Sequence, residues 1–136
     1  MLKVLIVEDS FIIQDRLIKM ISLINNTKVV GSANDGVEAL VAIQKLMPDL
    51  IILDLCMPKA NGFDVINNIK DNNLLTTVLV LTNFATEPER KQCMELGIKY
   101  FFDKTTEFEQ AIEAIETLAS TYHAEFAEKI QLPNII

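Results

Sequence analysis

Strand-like apolar runs alternate five times with runs whose apolar residues recur at helical spacing, and this alternation constrains the chain more than any other feature. Strands joined by helical crossovers lie parallel, with helices packed on both faces of one sheet. The first strand reads Leu2 to Val7, and a helix from about Phe11 to Ile24 follows, with Ile13, Leu17, Met20, Ile21 and Ile24 on one face. A second strand, Lys28 to Ala33, leads to a helix opened by Asp35 with Glu38 three residues on, an aspartate form of the capping box, and stopped by Pro48. The third strand ends at Asp54. A loop, Leu55 to Asn61, precedes a helix from Gly62 to Lys70 and the turn Asp71-Asn72-Asn73. The fourth strand is Thr77 to Thr82, and the helix after it is marked by Thr86, Pro88 and Glu89 at its start and by Gly97 at its end. The fifth strand is Lys99 to Phe102. Thr106 and Glu109 predict a capping box for a last helix, with a stripe of Phe108, Ala111, Ile112, Ile115, Leu118, Ala119 and Tyr122. Phe126 and Ile130 continue the stripe to about Ile130. There Leu132-Pro133 is expected to break the helix, and the tail to fray.

A chain of 136 residues, half of them hydrophobic and with few Gly or Pro, is long enough for one domain with a real core. Its net charge of -7 and scattered Lys and Arg argue against direct nucleic-acid binding, which needs a clustered basic surface. Proteins are the expected partners. No apolar run approaches the roughly 18 residues of a membrane span, and no signal-peptide layout opens the chain, so a cytoplasmic location is expected. Cys56 and Cys93 lie far apart, with only His123 to accompany them, which predicts two ordinary reduced thiols rather than a disulfide or zinc site.

Open parallel sheets bind ligands at the carboxyl ends of their strands. Glu8 and Asp9 follow the first strand here, Asp54 ends the third, Thr82 ends the fourth and Lys104 follows the fifth. Taken singly, each has an ordinary reading: a turn cap for Asp54, a solvated acid for Glu8, a β-favoured residue for Thr82, a surface lysine for Lys104. Taken together, they converge on one patch. Two carboxylates about 5 Å apart repel by roughly 3 kcal/mol at an effective dielectric near 20, so three such groups call for a hard cation. Magnesium suits a small site with one or two direct carboxylates, and Lys104 would balance remaining charge. Thus neutralised, Asp54 could attack a phosphoryl group, and Thr82 could donate a hydrogen bond to a phosphoryl oxygen.

The ordered set Val7-Glu8-Asp9, Asp54-Leu55-Cys56-Met57-Pro58 with Gly62, Leu81-Thr82, and Gly97 followed by Lys104 resembles the receiver domain of two-component response regulators. The resemblance covers about Leu2 to Ala119. It implies a doubly wound, flavodoxin-like sheet of order 2-1-3-4-5 as a domain over residues 1–120, with 121–136 as a helical extension and tail. It further implies that Asp54 accepts phosphate from a kinase histidine, directly or by way of a phosphotransfer protein. Glu8, Asp9, Asp54 and the backbone carbonyl of Cys56 would bind Mg2+, and Thr82 and Lys104 would hold the phosphoryl group. Phe101 matches the switch aromatic, although an aromatic in a strand is also an ordinary core residue. The fourth helix, fifth strand and fifth helix would form the output face toward a downstream protein.

Three positions depart from the family pattern. Thr105 stands where proline usually follows the lysine, which makes a cis bond there costly. Asn83 replaces the usual small residue after Thr82 and narrows the approach to Asp54. Cys56 and Phe84 flank the site without a group to orient attacking water, which predicts slow self-dephosphorylation. Two other readings stand beside this one: a phosphorylation-independent interaction module, which the Lys104-Thr105 departure favours, and a Mg2+-dependent phosphatase, which needs a second acid or base near Asp54 and a substrate pocket that Leu55 and Cys56 do not offer. Leu118, Tyr122, Phe126 and Ile130 lead either to a helix folding back on its own domain or to a homodimer seam.

Overall fold

The computed structural model describes the backbone of residues 1–57, 59 and 61–135, and side chains as far as Tyr122. Five strands alternate with five helices: β1 Leu2–Val7, α1 Phe11–Ser22, β2 Thr27–Ala33, α2 Gly36–Leu46, β3 Leu50–Leu53, α3 Gly62–Asp71, β4 Thr77–Thr82, α4 Glu87–Glu95, β5 Tyr100–Asp103 and α5 Phe108–Ile135. All strand pairs are parallel, in the order β2-β1-β3-β4-β5. The doubly wound architecture and strand order expected from the sequence are both present.

Packing follows from the composition of the central strands. Every residue of β3, and all but the first of β4, is buried, because helices cover both faces. Leu5, Val7, Ile51, Leu53, Val78 and Val80 point toward α2, α3 and α4, where Ala39, Ile43, Val65 and Cys93 meet them. Val4, Ile6, Ile52, Leu79 and Leu81 point the other way, onto Leu17 and Ile21 of α1 and Ala111, Ile115 and Ala119 of α5. Burying one such aliphatic side chain is worth about 1.5–3 kcal/mol, and two cores clamp the strands from opposite sides. Among the described residues, no helix is long and apolar enough to cross a membrane.

Several element ends differ from the sequence expectation. Ser10 caps α1 by accepting from the Ile13 amide, and the helix stops at Ser22 rather than Ile24. Asp35 caps α2 through the Glu38 amide, but Glu38 returns to the Asn34 amide instead of to that of its cap. Asn61 and Asp64 form a complete capping box for α3. The Thr106–Glu109 box is not the bond that opens α5. The Asp103 carboxylate takes the Thr105 and Thr106 amides at 2.8 and 3.0 Å, and the helix begins at Phe108. α5 also continues through Pro133, where a break was expected. A proline that close to a helix end removes only one ladder bond. The side chains of His123, Phe126 and Ile130 lie outside the described residues.

Candidate functional site

Strand register brings the acidic residues together. Val7 pairs with Leu53, so Glu8 and Asp54 sit side by side one residue beyond the ladder. The Glu8 amide donates to the Ala33 carbonyl at 3.0 Å, and that of Asp54 to the Val7 carbonyl at 3.1 Å. On the other flank Leu53 pairs with Val80, which carries Thr82 up to Asp54 at the same edge. Gly62 closes the loop behind the site, donating to the Leu55 carbonyl at 3.1 Å. A Cβ at Gly62 would lie 2.6 Å from the Leu55 Cα, which leaves glycine as the residue that fits this close approach.

Asp54 is 6% exposed, and both of its oxygens are engaged. Oδ1 accepts the Thr82 hydroxyl at 2.9 Å and the Cys56 amide at 3.2 Å. Oδ2 faces the Lys104 ammonium at 3.1 Å, and the same ammonium donates to Glu8 Oε1 at 2.5 Å. Glu8 Oε2 accepts the Ser10 amide at 3.0 Å. Thr82 is fully buried, and its oxygen also accepts the Phe84 amide at 3.1 Å, which aims the hydroxyl at Asp54. The Lys104 amide donates to the Thr82 carbonyl at 3.0 Å, so the turn carrying the lysine starts from the edge of the sheet.

Burial pushes the Glu8 carboxyl above its ordinary pKa, and the hydrogen bonds from Lys104 and the Ser10 amide oppose that shift only in part. Burial works to lower the Lys104 pKa, but its contacts with Glu8 and Asp54 together outweigh it and hold the ammonium above its ordinary value. Ligand oxygens of Glu8, Asp9 and Asp54 all lie within 4.8 Å of one another. Three carboxylates against one ammonium leave a formal excess of two negative charges, the charge of one divalent cation. The donor set is all oxygen, with Asp9 exposed at the mouth, and so fits a hard, partly hydrated ion such as Mg2+.

The model of the response regulator receiver domain matches residues 4–116. The chain belongs to that family. Similar proteins agree with the assignment. The receiver is 32% identical over 112 residues to a protein-glutamate methylesterase/protein-glutamine glutaminase of Treponema denticola, covering 81% of this chain and 30% of that protein. The response regulator domain of Thermotoga maritima CheB superposes with a TM-score of 0.77 at 28% identity, covering 88% of this chain and 96% of that one. A Borrelia burgdorferi structure, the CheX-CheY-BeF3-Mg+2 complex, matches with a TM-score of 0.74 at 25% identity, covering 83% and 87%. The receiver spans 30% to 58% of the length of the first curated relatives it matches.

Of the residues expected at the receiver's site, Glu8, Asp9, Asp54, Thr82 and Lys104 meet at one edge of the sheet, and Cys56 contributes its amide to Asp54. Phe101 is 8% exposed and packed beneath α4, on the same sheet face as Val80 and Thr82. Two residues tied to the site or to the elements around it escaped the sequence reading. Gln14 is buried and donates to the Glu8 carbonyl at 3.0 Å and to Asn34 Oδ1 at 3.1 Å. It was legible as a polar residue three positions before Leu17 and seven before Ile21, inside the apolar stripe of α1. Arg90 left no such pattern, since its partners lie 11 and 17 residues away.

Proposed function

We propose that this receiver is a phosphorylation-dependent signalling switch in which Asp54 accepts a phosphoryl group from a sensor histidine kinase or a phosphotransfer protein. The observation that carries the reading is Asp54 itself, a buried carboxylate held by Thr82, Cys56 and Lys104, with two further carboxylates within 4.8 Å. An oxygen of Asp54 attacks phosphorus, forming the acyl phosphate as the bond from phosphorus to the donor nitrogen breaks. The nitrogen leaves with that electron pair. Glu8, Asp9, Asp54 and the Cys56 carbonyl would hold Mg2+, which when bound supplies positive charge against the oxygens of the incoming group.

In the product the Lys104 ammonium and the Thr82 hydroxyl turn to phosphoryl oxygens, which are charged and so stronger acceptors than the acyl oxygens of the neutralised Asp54 carboxyl. Phe101 follows Thr82, and the change reaches an output surface made of α4, β5 and α5, where a downstream protein binds. The receiver unit ends near residue 120, and 121–136 forms an extension of its last helix and a tail.

Incubation with acetyl phosphate and Mg2+, read by intact mass, tests the proposal. One stable phosphate is expected, absent in Asp54→Asn and absent when Mg2+ is chelated. Turnover of the donor with no stable adduct would point instead to a phosphatase, and no reaction at all to a phosphorylation-independent module. In the same samples the adduct should decay slowly, because the exposed Cys56 and half-exposed Phe84 offer nothing to orient water. Decay as fast as in rapidly cycling receivers contradicts that expectation.

A further inference from the structure

Lys104 is followed by Thr105, so no proline ring stiffens the turn that delivers the ammonium to Glu8 and Asp54. Hydrogen bonds take over that task. Asp103 Oδ1 accepts the Thr105 amide at 2.8 Å and the Thr106 amide at 3.0 Å, while Glu107 Oε1 accepts the Asp103 amide at 2.9 Å. The residues flanking Lys104 are thus fixed on both sides by two carboxylates. One of those carboxylates is held in turn by a cation from another element.

That cation is Arg90 of α4. Its Nη2 lies 3.2 Å from Glu107 Oε1 and its Nη1 donates to the Phe101 carbonyl at 3.3 Å. The same guanidinium stacks over the Phe101 ring, 4.6 Å from its centroid. With side chains 32% and 34% exposed, the Arg90–Glu107 pair alone would be weak. What holds it is convergence, because a planar group can stack on a ring with its face while its edges donate to a carbonyl and a carboxylate. A lysine could supply the charge but not the three contacts together.

We propose that Arg90 is a positioning residue for Lys104: it holds the Asp103–Glu107 turn so that the ammonium stays between Glu8 and Asp54, and so ties α4 to the phosphoacceptor pocket. Coupling of this kind is reciprocal, so whatever draws Lys104 toward a phosphoryl group also pulls on α4 through Glu107 and Phe101. The phosphoryl part of this inference rests on the function proposed above. The positioning part does not.

Amide hydrogen exchange on the unphosphorylated protein tests the positioning directly. In Arg90→Ala the Thr105 and Thr106 amides should exchange roughly five- to tenfold faster, as expected for losing about one hydrogen bond of ordinary strength, the charge of this partly exposed pair being screened. Amides of β1 and β3 that exchange by local fluctuation should keep their wild-type rates, and those that exchange through global unfolding should speed up by no more than the factor seen at the turn. Arg90→Lys should recover only a small part of the protection, and Lys91→Ala, an exposed change one residue along, none of the effect. Unchanged exchange at Thr105 and Thr106 in Arg90→Ala overturns the inference, whatever the phosphorylation result.

The acetyl phosphate assay then separates this inference from the functional reading. A wild-type protein that takes phosphate, beside an Arg90→Ala that does so several-fold more slowly, supports both. Equal phosphorylation rates in the two proteins overturn the link between Arg90 and the pocket. A wild-type protein that takes no phosphate, while exchange at the turn still responds to Arg90→Ala, removes the functional reading and leaves the positioning role standing.

Discussion

Replacing Lys104 by Met should destabilise the protein in the absence of divalent cation, and added Mg2+ should reverse much of that loss. The ammonium lies 2.5 Å from Glu8 Oε1 and 3.1 Å from Asp54 Oδ2, and the three side chains are only 10%, 3% and 8% exposed. Carboxylate oxygens no more than 4.8 Å apart repel by at least about 3.5 kcal/mol when both groups are ionised, at an effective dielectric of 20. Removing one partner of such a buried pair typically costs about 3–5 kcal/mol. Glu8 has an escape, since its carboxyl is already pushed up by burial and loses its principal opposing contact in the variant. With that escape open to it, the loss comes to about 2–4 kcal/mol, or roughly 6–12 °C in Tm for a domain of this size.

Thermal melts followed by circular dichroism, in chelator and in millimolar Mg2+, read this out. Mg2+ should raise the Tm of the variant more than that of the wild type, because no ammonium competes for the acids. The pH dependence has a definite sign. An acid whose folded pKa is raised weighs against the fold above its unfolded value and ceases to do so once protonated, so the deficit of the variant shrinks as the pH falls toward the ordinary carboxyl value of 4.5. For Lys104, raised above 10.5, the stabilisation is present below that value and is lost as the pH climbs through the folded pKa, where the two proteins converge. A variant melting within about 2 °C of the wild type in chelator at pH 7 would refute the premise that the lysine neutralises the cluster.

Asp9 is the exposed member of the cluster, so Asp9→Asn should relieve repulsion and raise the Tm in chelator by roughly 1–3 °C, while the stabilisation by Mg2+ disappears. Melts across a Mg2+ titration check both halves, and a lower Tm in chelator contradicts the reasoning. For the thiols, Cys56 is exposed and should react with a disulfide reagent in the native protein, whereas Cys93, fully buried, should react only after unfolding in urea. Burial, reinforced by Glu89, pushes the Cys93 thiol up to about 11 from 9.0, so the unfolded chain releases that proton first and stability falls as the pH rises between those values. Two fast-reacting thiols in the native state would show that the α4 side of the core is open.

The parallel sheet was legible because its cause is written locally. Leu50-Ile51-Ile52-Leu53 and Val78-Leu79-Val80-Leu81 are continuous aliphatic runs of the kind buried on both faces, and Asp54 and Thr82 end them. The strand order came from the family resemblance, since alternation alone leaves several orders open. The start of α5 was misread because Thr106 and Glu109 match a capping box, yet Asp103 takes the Thr106 amide that Glu109 would have had to accept, and the Thr105 amide beside it. Local carboxylates compete for the same donors, and sequence spacing does not say which one wins. Arg90 was invisible for a different reason. Its helix carries a polar, charged surface, and what sets the arginine apart is an aromatic ring and a carboxylate that only the β4–β5 pairing brings beneath it.

The way these parts are joined bears on how such a switch transmits. The strands that carry Glu8, Asp54 and Thr82 are held from both faces by packed aliphatic side chains, so the sheet is the least deformable part of the molecule. Charge added at Asp54 therefore has little room to act by shifting strands. The groups free to respond are those at the sheet edge: the Thr82 hydroxyl, the Lys104 ammonium and the hydrogen-bonded turn from Asp103 to Glu107. Of these, the turn is the one bonded to a helix, through Arg90. On the proposed function, the signal leaves the pocket through side chains and one turn while the sheet stays still. The residues that set its strength then lie on α4 and the β5–α5 turn, not in the core.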